Sequence, residues 1–196
     1  MKKLTALLLG LTTALALAGC GNDKENGSDI PDSEEFNQAD VDFATAMIPH
    51  HAQALVMVDL TEGRDLSPDV DRLAEQILTA QTPEIETMAG WLTEWDQPIP
   101  ETARDHENAH GDGDSDLPTD MPGMMSGEEL AELEAAADEE FEPLWLEMMI
   151  EHHQGAIDMA KTERADGEYQ PTLELAATIE TTQQDEIDLM ERLLGS

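Results

Sequence analysis

The histidines of this chain are concentrated in two adjacent pairs. Four of the six histidines fall in residues 47–51 and 149–153, and both segments read Met-x-x-His-His. Imidazole nitrogens and thioether sulfurs are metal ligands, and without a thiolate they suit soft Cu(I), and likewise Ag(I), better than Fe, Mg or Ca. Zinc would accept the imidazoles but gains little from thioethers. The repeated segment therefore predicts a metal site selective for Cu(I).

The two segments belong to a longer internal repeat. A shift of 102 residues aligns positions 47–92 with 149–194, and 15 of these 46 pairs are identical. Packing tolerates exchange among Leu, Ile and Met, so retention of the same polar and methionine residues in both copies indicates a shared chemical constraint. The predicted metal ligands are Met47, His50, His51, Met57, Met88, Met149, His152, His153, Met159 and Met190. The residues predicted to contact and orient these ligands are Gln81, Glu84, Gln183 and Glu186.

Two other interpretations remain open at this stage. Methionine is a common core filler, so the stripe is also compatible with a structural or protein-interaction module. A third interpretation is a ferritin-like oxidase that uses a metal and oxygen, but its usual Glu-x-x-His pattern occurs only once, at residues 107–110. The chain carries no serine nucleophile elbow, P-loop or cysteine nucleophile. We therefore expect a binding protein and not an enzyme, with no catalytic residue.

The repeat also predicts the fold. Apolar residues recur at steps of three and four in both copies, which is typical of amphipathic helices. We expect helices over residues 40–61, 68–95, 126–137, 139–165 and 171–194, with Pro49 and Pro83 as possible kinks. Two similar helical hairpins, 36–96 and 127–196, would bury their apolar faces against each other. The prediction is an all-α, ferritin-like four-helix bundle of residues 36–196 with a long crossover linker, 97–126.

The N-terminal residues predict export and a lipid anchor. Two lysines precede an apolar stretch, residues 4–18, that is too short to span a bilayer. This stretch ends in Leu-Ala-Gly-Cys, which resembles the bacterial lipobox and predicts removal of residues 1–19 and acylation of Cys20. Cys20 is the single cysteine, so an intrachain disulfide is excluded. Residues 20–35 are polar and turn-rich, which is typical of a disordered tether. The expected location is outside the cytoplasmic membrane.

The charge of the chain limits its partners. It carries 45 acidic residues against 9 basic ones, for a formal net charge of −36. Such a surface repels phosphates and anionic lipids, so nucleic acid is excluded as a partner and membrane attachment depends on the lipid at Cys20. The surface attracts cations, mostly as a diffuse cloud.

The linker contains a further group of potential ligands. It holds His106, His110, Met121, Met124 and Met125 among aspartates and glycines. A flexible ligand loses conformational freedom on binding, so a solvated acidic loop is favoured here over a loop that captures metal.

The chain resembles the bacterial family catalogued as domain of unknown function 305 (DUF305). The resemblance rests on "MIPHHAQALVM", "MPGMMS", "FEPLWLEMMIEHHQGAIDMA" and the two Gln-x-x-Glu-Ile-x-x-Met segments that begin at Gln81 and Gln183. It extends over about residues 36–194. Membership would imply a ferritin-like four-helix bundle, an envelope location and, for some members, copper binding and copper tolerance.

Overall fold

The four long helices pack as two hairpins in a computed structural model that describes residues 35–106 and 121–195. These residues contain no strand, and the all-helical fold class is confirmed. Helix α1 packs against α2, α5 packs against α6, and α1 packs against α5 between the hairpins. The helices are α1 (Gln38–Asp59), α2 (Pro68–Glu94), α3 (Ala103–His106), α4 (Gly127–Ala135), α5 (Asp138–Asp166) and α6 (Gln170–Leu194). The predicted signal segment, Cys20 and most of the predicted tether lie outside the described residues.

Local capping sets where the helices begin. Asn37 accepts hydrogen bonds from the N–H groups of Ala39 and Asp40, while Asp40 accepts one from Asn37 N at 2.7 Å. This capping box starts α1 at Gln38, two residues before the predicted start. The predicted box of Ser126 and Glu129 is present at the start of α4. Helix α1 continues through Pro49, and α2 continues through Pro83.

The crossover, predicted as a linker over residues 97–126, contains regular structure. Its first part contains α3, which the sequence analysis did not predict and which packs on α1. Arg104 of α3 donates a hydrogen bond from Nε to Asp59 at 3.2 Å. The ion pair secures the short helix against the end of α1. Helix α4 ends at Ala135, two residues before its predicted end.

Helices α1 and α5 run antiparallel. Asn37 at the start of α1 donates a hydrogen bond from Nδ2 to the carbonyl of Asp166, 2.9 Å away at the end of α5. Near the opposite end of the pair, the indole of Trp145 donates to the carbonyl of Met57 at 2.8 Å. The antiparallel crossing brings the middle of α1, with its two histidines, beside the middle of α5.

Two acidic side chains, the buried Asp40 and the partly buried Glu142, connect the hairpins to each other. Asp40 accepts from Tyr169 N at 2.9 Å and from Thr172 Oγ1 at 2.6 Å. Glu142, 102 residues later, accepts from Ser67 N at 2.7 Å and from Ser67 Oγ at 2.9 Å. Burial acts to raise the pKa of Asp40, but hydrogen bonds from Thr172 and backbone amides lower it overall. The repeat thus extends upstream of residue 47 as a pair of matched inter-hairpin contacts.

None of the described helices combines the length and apolar content needed to cross a membrane.

Candidate metal centre

His50 and His152 meet where α1 and α5 cross. Their ring centroids lie 3.8 Å apart, with an angle of 40° between the ring planes. Both side chains are buried, at 0% and 1% exposure. The sequence places these residues 102 positions apart, and the bundle brings them into contact.

These two rings have unused hydrogen-bonding capacity. His50 donates from Nε2 to the carbonyl of Pro122 at 3.1 Å, which leaves Nδ1 as an acceptor without a partner. Neither ring nitrogen of His152 has a hydrogen-bond partner within the described part of the chain. A buried polar atom without a partner costs roughly 1–3 kcal/mol, so three such nitrogens at one place mark a site that a ligand could satisfy.

The second histidine of each pair is oriented by a carboxylate. His51 Nε2 lies 2.8 Å from Glu84 Oε2, and His153 Nε2 lies 2.8 Å from Glu186 Oε2. In both histidines Nδ1 is buried and unpartnered. A metal-ligating histidine usually donates its other N–H to a carboxylate in this way, which fixes the ring and raises the basicity of the ligand nitrogen. Glu84 and Glu186 thus contact the second histidine of each pair, and their role toward a metal stays a prediction.

Burial keeps the central imidazoles neutral. It lowers the pKa of His50 to about 3, with a further lowering by the nearby His51. Burial also holds the pKa of His152 well below its ordinary value, and His50 and His153 add to this effect. Neutral imidazole is the form that binds metal. The central nitrogens are therefore available as ligands throughout the neutral pH range.

The other two predicted orienting residues behave differently. Gln81 and Gln183 are buried, at 2% and 3% exposure. Neither the oxygen nor the nitrogen of the Gln81 amide has a partner, and Gln183 Oε1 also lacks one. Neither glutamine has a hydrogen bond to a histidine in the described structure. The sequence therefore identified two buried polar side chains, but the predicted contact with the histidines is not seen for them.

The repeated methionines divide between two apolar clusters of the interior. One apolar cluster contains Met47 and Met88 with Met159 packed against it. The other contains their counterparts 102 residues away, namely Met149, Met190 and Met57. Each set takes residues from both hairpins, because the antiparallel crossing exchanges the ends of α1 and α5. All ten predicted ligands thus lie in or against the interior of one bundle.

Within residues 35–106 and 121–195, no group of three or more His, Cys, Asp or Glu side chains is arranged to hold a metal ion. The repeated thioethers are the candidates for further ligands beside the imidazoles.

A segment of the crossover covers this centre, contrary to the prediction of a solvated loop. Met124 and Met125 are buried, at 9% and 2% exposure. The Gln53 amide donates to the carbonyl of Met125 at 2.8 Å and accepts from its N–H at 2.7 Å. The side-chain amide of Gln53 thus pairs with both backbone groups of Met125, and this pairing holds residues 121–126 in place. Nothing is described for the side chain of His106, and His110 lies outside the described residues.

Close backbone contact also holds this covering segment against α5. A Cβ at Gly155 would lie 1.9 Å from the carbonyl oxygen of Pro122, and one at Gly123 would lie 2.6 Å from the carbonyl oxygen of Glu151. Gly123 has a positive φ of 76°, which also favours glycine. Gly155 and Gln53 are counterparts in the repeat, and both contact the covering segment. The repeat has glutamine at this position in one copy and glycine in the other. This difference between the copies was visible in the sequence, but the prediction did not use it.

Comparison with known proteins identifies relatives of the whole bundle. The family described as "Domain of unknown function (DUF305)" matches residues 40–194. Among curated proteins, none matches the chain at a significant level. The solved structure of a DUF305 fragment from Deinococcus radiodurans is 32% identical, with a TM-score of 0.68, and the match covers 82% of this chain and 98% of that one.

Further solved structures are similar along most of their length. A DUF305 protein from Streptomyces coelicolor, named as a candidate secreted protein, is 30% identical with a TM-score of 0.68 and coverage of 83% and 93%. CopM in a Cu(I)-bound form is 26% identical with a TM-score of 0.62 and coverage of 79% and 94%. CopM has also been solved with Cu(II) and with silver. The resemblance inferred from the sequence motifs is thus confirmed, and the chain belongs to the DUF305 family.

Proposed function

We propose that this protein binds Cu(I) in the interior of its bundle and holds it outside the cytoplasm for sequestration or transfer. The observation that carries the proposal is the contact of His50 with His152, where three buried ring nitrogens have no hydrogen-bond partner. A protein that used these histidines only for packing would gain stability by satisfying or replacing them.

The nature of the surrounding groups favours Cu(I). Thioethers are soft ligands, and neutral imidazoles accept the same ion. The His51–Glu84 and His153–Glu186 pairs supply the oriented nitrogens that metal sites use. CopM, a relative with the same fold, has been solved with bound copper and silver. The residues that would hold the ion are drawn from His50, His51, His152, His153 and the six repeated methionines.

This role needs no chemical step. Holding or transferring Cu(I) requires affinity and an exchange path, and no proton donor or nucleophile. We therefore propose a binding protein and not an oxidase. A purified protein loaded with copper should consume no oxygen above the rate of free copper under the same conditions.

The proposed location depends on Cys20. Cleavage before Cys20 and its acylation would tether the acidic bundle outside the cytoplasmic membrane. Metabolic labelling with a fatty acid should label the wild-type protein and leave Cys20→Ala unlabelled. A wild-type protein without label, or equal labelling of Cys20→Ala, would refute lipid anchoring without affecting the metal site.

The test of function is a Cu(I) titration of the mature chain with Cys20→Ser, which removes the thiolate as a ligand. A chromophoric chelator competes for Cu(I) under reducing, oxygen-free conditions, and Zn(II) serves as the comparison ion. We expect tight, stoichiometric binding that excludes zinc, and loss of this binding in His50→Leu with His152→Leu. The control is His106→Ala with His110→Ala in the crossover. Weak binding that is abolished by salt would mean that the ion associates only with the acidic surface, and this result would overturn the proposal.

A further inference from the structure

The two ends of the bundle are packed differently although the repeat relates them. A cavity of about 300 Å³ lies between the first half of α1 and the last part of α5. The same place at the other end, between the last part of α1 and the first half of α5, is filled by Phe141 and Trp145, both completely buried. The residues that line the cavity are Ala39, Asp42, Phe43, Ala46, Met159, Thr162, Glu163 and Asp166.

Divergence between the two copies created this cavity. Ala39 corresponds to Phe141, and Ala46 corresponds to Met148, so two small residues stand where the other end has large ones. Helix α4 adds further cover at the filled end, where Leu133 is completely buried. Since a well-packed interior has few voids larger than a water molecule, the opening beside these two small residues is a specific feature of this end.

Met159 connects the cavity with the interior. Five of the six repeated methionines are completely buried, at 0% exposure, and Met159 is only partly buried. It lines the cavity on one side and packs on the other against the cluster that contains Met47 and Met88. Its counterpart, Met57, is completely enclosed. Met159 is thus the repeated thioether that an ion from solvent would reach first.

The charge around the cavity favours a cation. Asp42 and Asp166 line it, and both are exposed and negatively charged. Glu163 also lines it, but burial raises the pKa of its carboxyl group to about 8, so at neutral pH it adds little charge. The lining residues include no lysine or arginine. An opening lined by one sign of charge raises the local concentration of ions of the opposite sign.

The geometry points to this cavity as the port through which Cu(I) enters and leaves, with Met159 as its first protein ligand. The inference rests on the proposed function and adds a route to it. Acidic side chains at the mouth would attract the ion, and the thioether of Met159 would take it from solvent or from a donor. Transfer to the neighbouring methionines and then to the histidines would follow within the interior.

The test separates the rate of uptake from affinity. Ala46→Leu and Ala39→Phe each fill the cavity without adding sulfur. The control is Ala131→Leu, which makes the same substitution as Ala46→Leu at an exposed site on α4. Stopped-flow transfer of Cu(I) from a chromophoric chelator gives the rate, and chelator competition gives the affinity. We expect both filled variants to slow uptake by about tenfold, equivalent to ~1.4 kcal/mol on the barrier. Their affinity and the uptake rate of Ala131→Leu should match wild type.

A matched pair of methionine variants tests the thioether itself. Met159→Leu should slow uptake, whereas Met57→Leu, at the enclosed counterpart, should lower affinity without slowing uptake. Peroxide oxidation of the metal-free protein, read by mass spectrometry, should modify Met159 before the other five repeated methionines. Wild-type uptake rates in folded Ala46→Leu and Ala39→Phe would refute the port and leave Cu(I) binding intact. Absence of tight Cu(I) binding by the wild-type chain would refute both the port and the proposed function.

Discussion

His50 and His152 contact each other in the centre of the bundle, with ring centroids 3.8 Å apart and three ring nitrogens without a hydrogen-bond partner. A contact of this kind stabilises the metal-free protein less than an apolar pair of similar size would, because the nitrogens lost their water on burial. A bound ion would supply the partner that these nitrogens lack. Four predictions follow from this centre and from the elements that support it.

Replacement of His152 by leucine should raise the stability of the metal-free protein. The change removes two buried nitrogens that have no partner and keeps a similar volume, so we expect a gain of roughly 1 kcal/mol in the free energy of unfolding. Urea denaturation measures it. The same variant should lose the increase in melting temperature that Cu(I) gives the wild type. A loss of stability in the metal-free variant would favour the structural interpretation of the histidines.

The stability of the metal-free protein should fall as the pH rises from 7 to 8. Burial raises the pKa of Glu163 to about 8 in the folded protein, with a further contribution from the nearby Asp40. In the unfolded chain the carboxyl group loses this proton near its ordinary pKa of 4.5. Between these values the folded state binds more protons than the unfolded state, so stability decreases with increasing pH. The histidines His50 and His152 of the unfolded chain still bind part of a proton near pH 6.5, which opposes this effect, so the decrease emerges above about pH 7. Glu163→Gln should remove the decrease in urea denaturation between pH 7 and 8.

Removal of the orienting carboxylates should weaken metal binding without unfolding the bundle. Glu84→Gln and Glu186→Gln replace the acceptors of the His51 and His153 protons, and loss of such partners typically lowers metal affinity about 10- to 100-fold. Chelator competition measures this change. Glu86→Gln is the control, because it removes the same charge from an exposed position on α2. Equal effects of all three variants would mean that only overall charge matters.

Substitution of Gly155 by alanine should displace the covering segment. The new Cβ would lie 1.9 Å from the Pro122 carbonyl oxygen, and overpacking of this kind costs roughly 1–3 kcal/mol of stability. Because Pro122 accepts the proton of His50, we also expect weaker Cu(I) binding. Gly90→Ala is the matched control, since nothing lies within 4 Å of its Cβ. That change in an exposed helix should stabilise the protein by roughly 0.5–1 kcal/mol. Similar effects of the two variants would contradict the close contact.

The sequence by itself determined the fold class and nominated the residues of the candidate centre. Apolar steps of three and four predict helices because 3.6 residues complete a turn, and the 102-residue repeat predicts two similar hairpins. The same histidine, glutamate and methionine residues recur at matched positions of the repeat. This recurrence indicates a chemical constraint from the sequence alone. The start of α1 differed by two residues, because the capping box of Asn37 with Asp40 depends on local side-chain contacts.

Only the tertiary structure decided which atoms meet. The antiparallel crossing of α1 and α5 brings His50 onto His152 and divides the methionines into two mixed sets, because side chains distant in sequence meet only when helices pack. It also showed that Met124 and Met125 are buried, through hydrogen bonds to Gln53 that no helical period encodes. The cavity beside Met159 has the same origin, since the volume left between helices depends on facing residues from both of them.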